Sequence, residues 1–302
     1  MENSEQSTIA TDKDRIHAIP KVSIGMPVFN GDQFIRSALD SLLKQTFTDL
    51  ELIISDNAST DGTERICREY AALDQRIRYV RQSANIGATA NFKYVLDSAR
   101  GDYFMWAACD DTRSPDFIEL NLNFLSEHPA YVASTSPNGF EGHNINRQTF
   151  VNFALDGEIF ERFIQFLDHC WISHGIFYAL VRTEVLRGCE IIGQSFIAAD
   201  WAIDLYLASK GKVNRIKGGY MISGVRGVSS SSGSFKAFRN DAIELLLPFY
   251  RLTRYVIALA AGMSLGQQIK IISILLKLNL FAALYPLRCA LHPIRRAVVG
   301  HR

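Results

Sequence analysis

The chain has 302 residues, 48% of them apolar and 21% charged, which excludes a disordered chain and a small stapled domain. Its 32 Lys and Arg against 31 Asp and Glu give a net charge of +1, which argues against a generic nucleic-acid binder. The mean hides an asymmetry: no acid follows Glu244, whereas eight basic residues do (Arg251, Arg254, Lys270, Lys277, Arg288, Arg295, Arg296 and Arg302), so residues 1–244 carry 24 basic and 31 acidic groups, a net of −7.

Residues 1–20 are polar and mixed in charge, without the apolar core of a signal peptide, and are expected to form a mobile arm. Lys21–Met26 is a short apolar run closed by Pro27 and predicts a strand. Asp32–Gln45 places Phe34, Ile35, Ala38, Leu39, Leu42 and Leu43 at helical spacing. Strands are then predicted at Leu50–Ser55, Ile77–Arg81 and Tyr103–Ala108, and helices at Thr63–Leu73, Ala88–Ala99 and Pro115–Glu127. Strand and helix alternate four times with short connections. That pattern predicts an α/β fold, a doubly wound and mostly parallel sheet with right-handed crossovers. The five cysteines (67, 109, 170, 189 and 289) are odd in number and never spaced C-x-x-C, which fits a reducing compartment and cytoplasmic chemistry better than a disulfide framework.

Ligands of such sheets bind outside the carboxyl ends of the strands. There the sequence reads Val28-Phe29-Asn30-Gly31, Asp56 to Thr63, Asn85-Ile86-Gly87 and Cys109-Asp110-Asp111. One such loop is ordinary turn and cap chemistry. Four on one edge point to a ligand site. Asp110 and Asp111 repel each other at the end of an apolar strand, and a divalent cation such as Mg²⁺ or Mn²⁺ relieves that while bridging to a diphosphate. The alternative is that Asp111 caps the turn Thr112–Pro115 and Asp110 is solvated. No G-x-x-x-x-G-K-[ST] or post-strand G-x-G-x-x-G occurs, which weighs against a P-loop ATPase and a dinucleotide dehydrogenase.

The segments VSIGMPVFNG (22–31), LELIISDNASTDGT (50–63), RIRYVRQSANIGATANF (76–92) and GDYFMWAACDD (101–111) resemble glycosyltransferase family 2, over about residues 20 to 230. The resemblance implies a GT-A fold and an inverting, metal-dependent transfer from a nucleoside diphosphate sugar, usually UDP-linked. It places Pro27, Val28 and Asn30 against the nucleoside and Asp56 on the uracil edge. Asn57 and Ser59 fall in the loop beside it, and Asn85, Gly87 and Asn91 along base and diphosphate. It puts Asp110 on ribose or sugar hydroxyls and Asp111 on Mn²⁺ or Mg²⁺, with Cys109 where the family's Asp-x-Asp signature usually begins. Asp200, in Ala198-Ala199-Asp200-Trp201, matches the general base; read from the residues alone it is equally a helix cap. Asp204, one turn on, is expected on polar surface or against a neighbour. Arg226 is expected on the diphosphate, with Gly227–Gly233 as a lid or linker, and Trp201 and His174 on the acceptor.

The resulting division is an arm (1–20), a transferase domain (21–244, with a donor half 21–136 and an acceptor half 137–244) and a basic helical tail (245–302). Tyr255–Leu265 is too short to span a bilayer, and Ile271–Leu287 carries Lys277 and Asn279. The tail is therefore read as amphipathic helices on an anionic membrane surface, placing the enzyme peripherally on the inner face of the plasma membrane with a glycan or polyprenyl-linked acceptor. The competing readings are a sugar nucleotidyltransferase, whose Lys- or Arg-bearing loop is missing from Val28–Asp32, and a non-catalytic nucleotide-sugar-binding scaffold.

Overall fold

The computed structural model describes residues 19–141, 153–171, 175–224 and 243–299, with backbone only at 245 and 285–299. The first half runs β1 (Val22–Val28), α1 (Ile35–Leu43), β2 (Leu50–Asp56), α2 (Thr63–Leu73), β3 (Ile77–Arg81), α3 (Ala88–Asp97), β4 (Tyr103–Trp106), β5 (Thr112–Arg113) and α4 (Phe117–Glu127). The second half supplies β6 (Tyr131–Thr135), β7 (Asn138–Phe140), α5 (Ile159–His169), β8 (Leu180–Arg182), α6 (Thr183–Arg187), α7 (Ala199–Lys210), β9 (Lys212–Arg215) and β10 (Met221–Ser223). Three helices close the chain: α8 (Ile243–Leu246), α9 (Tyr250–Leu259) and α10 (Leu265–Val299).

The main sheet has the order β3-β2-β1-β4-β8-β6-β9. β8 runs antiparallel to β4 and β6, and the other pairings are parallel. The chain leaves β1 for β2 on one side and returns to β4 on the other. The crevice of this switch point therefore opens at the carboxyl ends of β1 and β4. A second, three-stranded sheet, β5-β10-β7, sits beside that edge.

Alternation along the strands feeds two cores. Leu52, Ile54, Tyr103 and Met105 face α1, α2 and α4, whereas Ile53, Phe104 and Trp106 face α3, α5 and α7. Trp106 is core, as its strand position predicts: it stacks on Phe177 with ring centroids 4.6 Å apart, and its indole N–H donates to the Phe92 carbonyl at 3.1 Å. β1 runs past its expected end, through Pro27 to Val28. The register with β4 stops at Gly25–Trp106, so the missing Pro27 N–H removes no ladder bond on that side.

The tail packs on the transferase domain. Phe249, Leu252, Val256, Ile271, Leu275 and Leu278 belong to the same core as α5 and α7. Asn279, a polar interruption in the sequence, pins α10 to α9. Its Oδ1 accepts from the Phe249 N–H at 2.9 Å, and its Nδ2 donates to Thr253 Oγ1 at 3.0 Å and Leu275 O at 2.9 Å. Asn279→Ala leaves the buried Phe249 N–H without an acceptor, a cost of about 1–3 kcal/mol. Thermal denaturation is expected to show one transition at a lower temperature. An unchanged midpoint would mean that the tail is not part of the cooperative fold.

Candidate active site

Three loops of the switch-point edge are braced to one another by the residues read as donor ligands. The Asn57 N–H donates to Val28 O at 2.8 Å, and the Asn57 side chain bridges Asn85 Oδ1 (2.9 Å) and the Ile86 N–H (2.8 Å). The Asn30 N–H donates to Ser59 Oγ at 2.9 Å, and Asn30 Oδ1 accepts from the Thr60 N–H at 2.8 Å. Asn91 exchanges hydrogen bonds with Ser55, so α3 is tied to β2. Among the described residues, the non-glycine positions with left-handed backbone are Asn30 (φ 52°), Ala58 (φ 59°) and Ala198 (φ 63°). Two are in these loops and the third begins the helix that carries Asp200. Strain of this kind collects where the surrounding structure holds a site in shape.

The bracing divides the expected ligands. Asn30, Asn85 and Gly87 are exposed on the crevice, while Pro27, Val28, Asn57, Ser59 and Asn91 are buried beneath it. Asp56 departs furthest from its expected place on the uracil edge, because it is fully buried. Its Oδ1 accepts from the Ser59 N–H at 2.8 Å, and its Oδ2 from Tyr79 Oη at 2.9 Å and the Arg81 guanidinium at 2.8 Å. A base reaching Asp56 has to displace Tyr79 or Arg81.

The acid pair lies across the crevice. Asp111 is 3% exposed; its Oδ1 accepts from the Gly224 N–H at 3.1 Å, and its Oδ2 has no donor among the described residues. Gly224 follows β10, which pairs with β5 and so carries the chain back onto the acids. A Cβ at Gly224 would overlap the Asp110 carboxylate, so only glycine permits this approach. Burial pushes the Asp111 carboxyl up to about 6; Arg113 and the Gly224 N–H pull it down and Asp110 pushes it further up. Asp110 is half-buried and is also raised, by burial and by Glu141. Arg113, buried beside Asp111, donates one bond to Trp106 O at 3.0 Å, while its Nε and Nη1 find no acceptor among the described residues. Cys109 packs on Gly31, and burial holds its thiol up at about 12, so it contributes no thiolate.

A hard divalent cation fits this donor set, since Asp111 Oδ2 is a buried oxygen without a donor among the described residues and Asp110 stands beside it. No cluster of three or more His, Cys, Asp or Glu that could hold a metal occurs among the described residues.

Asp200 sits in the first turn of α7 as a solvent-exposed residue, and the protein atoms packed about it raise its carboxyl above the ordinary range. The backbone N–H groups of the helix start oppose the rise. Asp204 is buried rather than on polar surface; its Oδ1 lacks a donor among the described residues, and its charged neighbours are Asp200 and Arg215. Tyr178, absent from the sequence reading, lies within electrostatic reach of Asp110, Asp111 and Asp200, whose charges add to burial in raising its phenol. It was missed because residues were sought after parallel strands, whereas β8 is antiparallel and brings the residues before it to the same edge.

Trp201 does not stand free as an acceptor platform. It stacks on Phe249 at 5.4 Å and meets Trp171 edge-on at 5.1 Å. The exposed aromatic here is Trp171, at 40%. Arg226, His174, the segment Gly227–Gly233 and residues 1–18 of the arm lie outside the described residues.

The raised Asp111 carboxyl has a consequence for stability without metal. Its folded value lies above its ordinary 3.8, so the folded state takes up this proton first and stability rises as pH falls through about 6 towards 3.8. A rise from 3.8 to about 6 corresponds to ~3 kcal/mol of destabilisation at neutral pH. Asp111→Asn is therefore expected to raise the melting temperature of the metal-free protein at neutral pH and to flatten its gain on acidification. A variant less stable than wild type at neutral pH would show that Arg113 already compensates the charge.

The comparisons with known proteins agree with this geometry. The family profile described as glycosyl transferase family 2 matches residues 23–187. The putative glycosyltransferase EpsE of Bacillus subtilis is 36% identical over 113 residues, which are 37% of this chain and 41% of EpsE. The putative teichuronic acid biosynthesis glycosyltransferase TuaG of the same organism is 31% identical over 145 residues, 48% of this chain and 52% of TuaG. The matches thus span about half or less of these relatives. Among solved structures, S. aureus TarS in complex with UDP-GlcNAc superposes with a TM-score of 0.64 at 19% identity, covering 85% of this chain and 71% of TarS. The mannosyltransferase PcManGT of Pyrobaculum calidifontis, in complex with GDP-Man and Mn²⁺, gives 0.55 at 17% identity, covering 95% of this chain and 82% of that one. The fold is GT-A with a C-terminal helical extension, and the chain belongs to glycosyl transferase family 2.

Proposed function

We propose that the protein is an inverting glycosyltransferase that moves a sugar from a nucleoside diphosphate sugar, with a UDP-sugar favoured, to a glycan or lipid-linked glycan. The observation that carries this reading is the buried Asp111 Oδ2 at the switch point, without a donor among the described residues, with the charges of Asp111 and Asp200 both felt at Tyr178. The nucleoside lies in the crevice lined by Asn30, Asn85 and Gly87, whose positions Asp56, Asn57, Ser59 and Asn91 hold by their bonds beneath. Asp111 would hold Mn²⁺ or Mg²⁺, and Asp110 the ribose or sugar hydroxyls. When bound, the metal supplies charge neutralisation for the departing diphosphate. TuaG and TarS are consistent with a polymer-building role and a UDP-linked donor, though each name speaks for its own protein.

Asp200 takes the proton of the acceptor hydroxyl as that oxygen attacks the anomeric carbon. The raised carboxyl suits the task, because a stronger base is closer to the proton affinity of an alcohol. The tail carries the enzyme peripherally on the inner face of the membrane, where the acceptor is presented.

Asp200→Asn is expected to lower turnover by about 10²–10⁴ while nucleotide binding in the presence of Mn²⁺ stays within a few-fold of wild type. Wild-type activity is expected to fall on the acid side at a pH above the ordinary carboxylate range, because protonation of Asp200 removes the base. Full turnover by Asp200→Asn would remove Asp200 from the chemistry. Wild-type binding of the donor without turnover would favour a scaffold.

A further inference from the structure

α10 has two unlike faces. Ile271, Leu275, Leu278 and Ala282 are buried against the domain. Leu265, Ile269, Leu276, Leu280 and Leu284, spaced at helical intervals, are exposed. Ile269, Ile272, Ser273, Leu276, Lys277 and Leu280 line an open groove of about 410 Å³ on this free side. Leu265–Leu284 is long and apolar enough to cross a membrane by length and composition, yet 28% of its most apolar stretch is buried in the fold. A helix fixed by one side to a globular core, with Asn279 bonded inside, is not free to be ringed by lipid. It is free to lie flat with its other side in lipid.

Charge says which surface it meets. Lys270 and Lys277 are exposed, seven residues apart and so on one side of the helix, and Lys277 borders the groove itself. No acid follows Glu244 in the chain. An apolar stripe with basic residues along it matches acyl chains beneath anionic headgroups, where Lys stems lie along the apolar layer and their ammonium groups reach phosphate. A second copy, whose residues 1–244 carry a net of −7, is the competing occupant, and the test below separates the two.

The stripe is also coupled to the active site. Trp171 meets Phe281 of α10 at 5.3 Å, Phe249 at 5.7 Å and Trp201 at 5.1 Å, and Trp201 follows Asp200 in the chain. Trp171 and Phe281 are each 40% exposed. A packed aromatic seam thus runs from the base helix to the edge of the stripe, and its indole is of the kind that settles at the headgroup level.

We propose that the free face of α10 docks in plane on an anionic phospholipid surface, and that the Trp171 seam holds Asp200 at the height of that surface, so that the acceptor is anchored in the same bilayer. The second clause rests on the transferase reading; the docking itself does not. The test is co-sedimentation of the full chain, without donor or metal, with vesicles of phosphatidylcholine alone or mixed with phosphatidylglycerol. Wild type is expected to pellet with the mixed vesicles and to be released by salt. The double variant Leu276→Glu, Leu280→Glu is expected to lose at least about tenfold in partitioning with an unchanged melting temperature, since both side chains are exposed. Lys270→Glu with Lys277→Glu is expected to lose the preference for phosphatidylglycerol. Acyl-brominated lipid is expected to quench wild-type fluorescence, and Trp171→Phe to abolish most of that quenching. Equal pelleting of the Leu276→Glu, Leu280→Glu variant, or no pelleting of wild type, overturns the proposal. A wild-type dimer that this variant dissociates, with no vesicle binding, assigns the face to a second copy instead. None of these outcomes touches the transferase reading, which stands or falls on turnover by Asp200→Asn with a soluble acceptor.

Discussion

A carboxylate oxygen buried without a donor is costly, and among the described residues Asp111 Oδ2 finds none at the mouth of the sheet. The described residues are arranged around this group without satisfying it. Gly224 approaches as bare backbone and gives one N–H to the other oxygen. Arg113 lies close enough to moderate the charge but directs its guanidinium N–H elsewhere, to the carbonyl of Trp106. Such an arrangement lowers stability in the empty protein and is retained where a ligand completes it. Asp204 repeats the pattern, since it is buried with an Oδ1 that lacks a donor among the described residues, and the charge of Asp200 raises its carboxyl further.

The rigidity needed to hold these charges apart comes from beneath. Parallel strands deliver their loops to one edge, but delivery does not fix loop shape. The side chains of Asn30, Asp56, Asn57, Asn85 and Asn91 do so by cross-loop bonds. Their place in the account thus shifts from direct contact with the nucleotide towards preorganisation of the surface it meets. The aromatic seam performs the same service on the acceptor side, joining α7 to the tail through Trp201 and Phe249.

Much of the donor half is legible in the sequence because its determinants are local. Thr63–Leu73 and Ile77–Arg81 appear in the structure with the predicted bounds, since apolar spacing and flanking turn residues set both ends. Asp110, Asp111 and Asp200 stand where the sequence places them, after β4 and in the first turn of α7. The acceptor half is less legible. Its strands β7 to β10 are three or four residues long, and such segments become strands only by pairing with distant partners. Tyr178 and Gly224 reach the site through those pairings, at separations no local pattern encodes. Asp56 and Trp201 look like free ligands in the sequence because their chemistry suits a base or a sugar; only the packed structure shows Tyr79, Arg81 and Phe249 already occupying them. Asn279 reads as a flaw in an apolar helix and is in fact its anchor.

The central claim is that the Asp111 edge is a metal-assisted site for a nucleoside diphosphate sugar. The most direct measurement is thermal denaturation with UDP, GDP, CMP and dTDP-glucose, each with and without Mn²⁺, on wild type and Asp111→Ala. The account predicts stabilisation by one diphosphonucleoside, with UDP foremost, of about 2.7 kcal/mol at a hundred times its Kd, dependent on Mn²⁺ and lost in Asp111→Ala. Stabilisation that persists in Asp111→Ala, or no stabilisation by any nucleotide with metal, would contradict it.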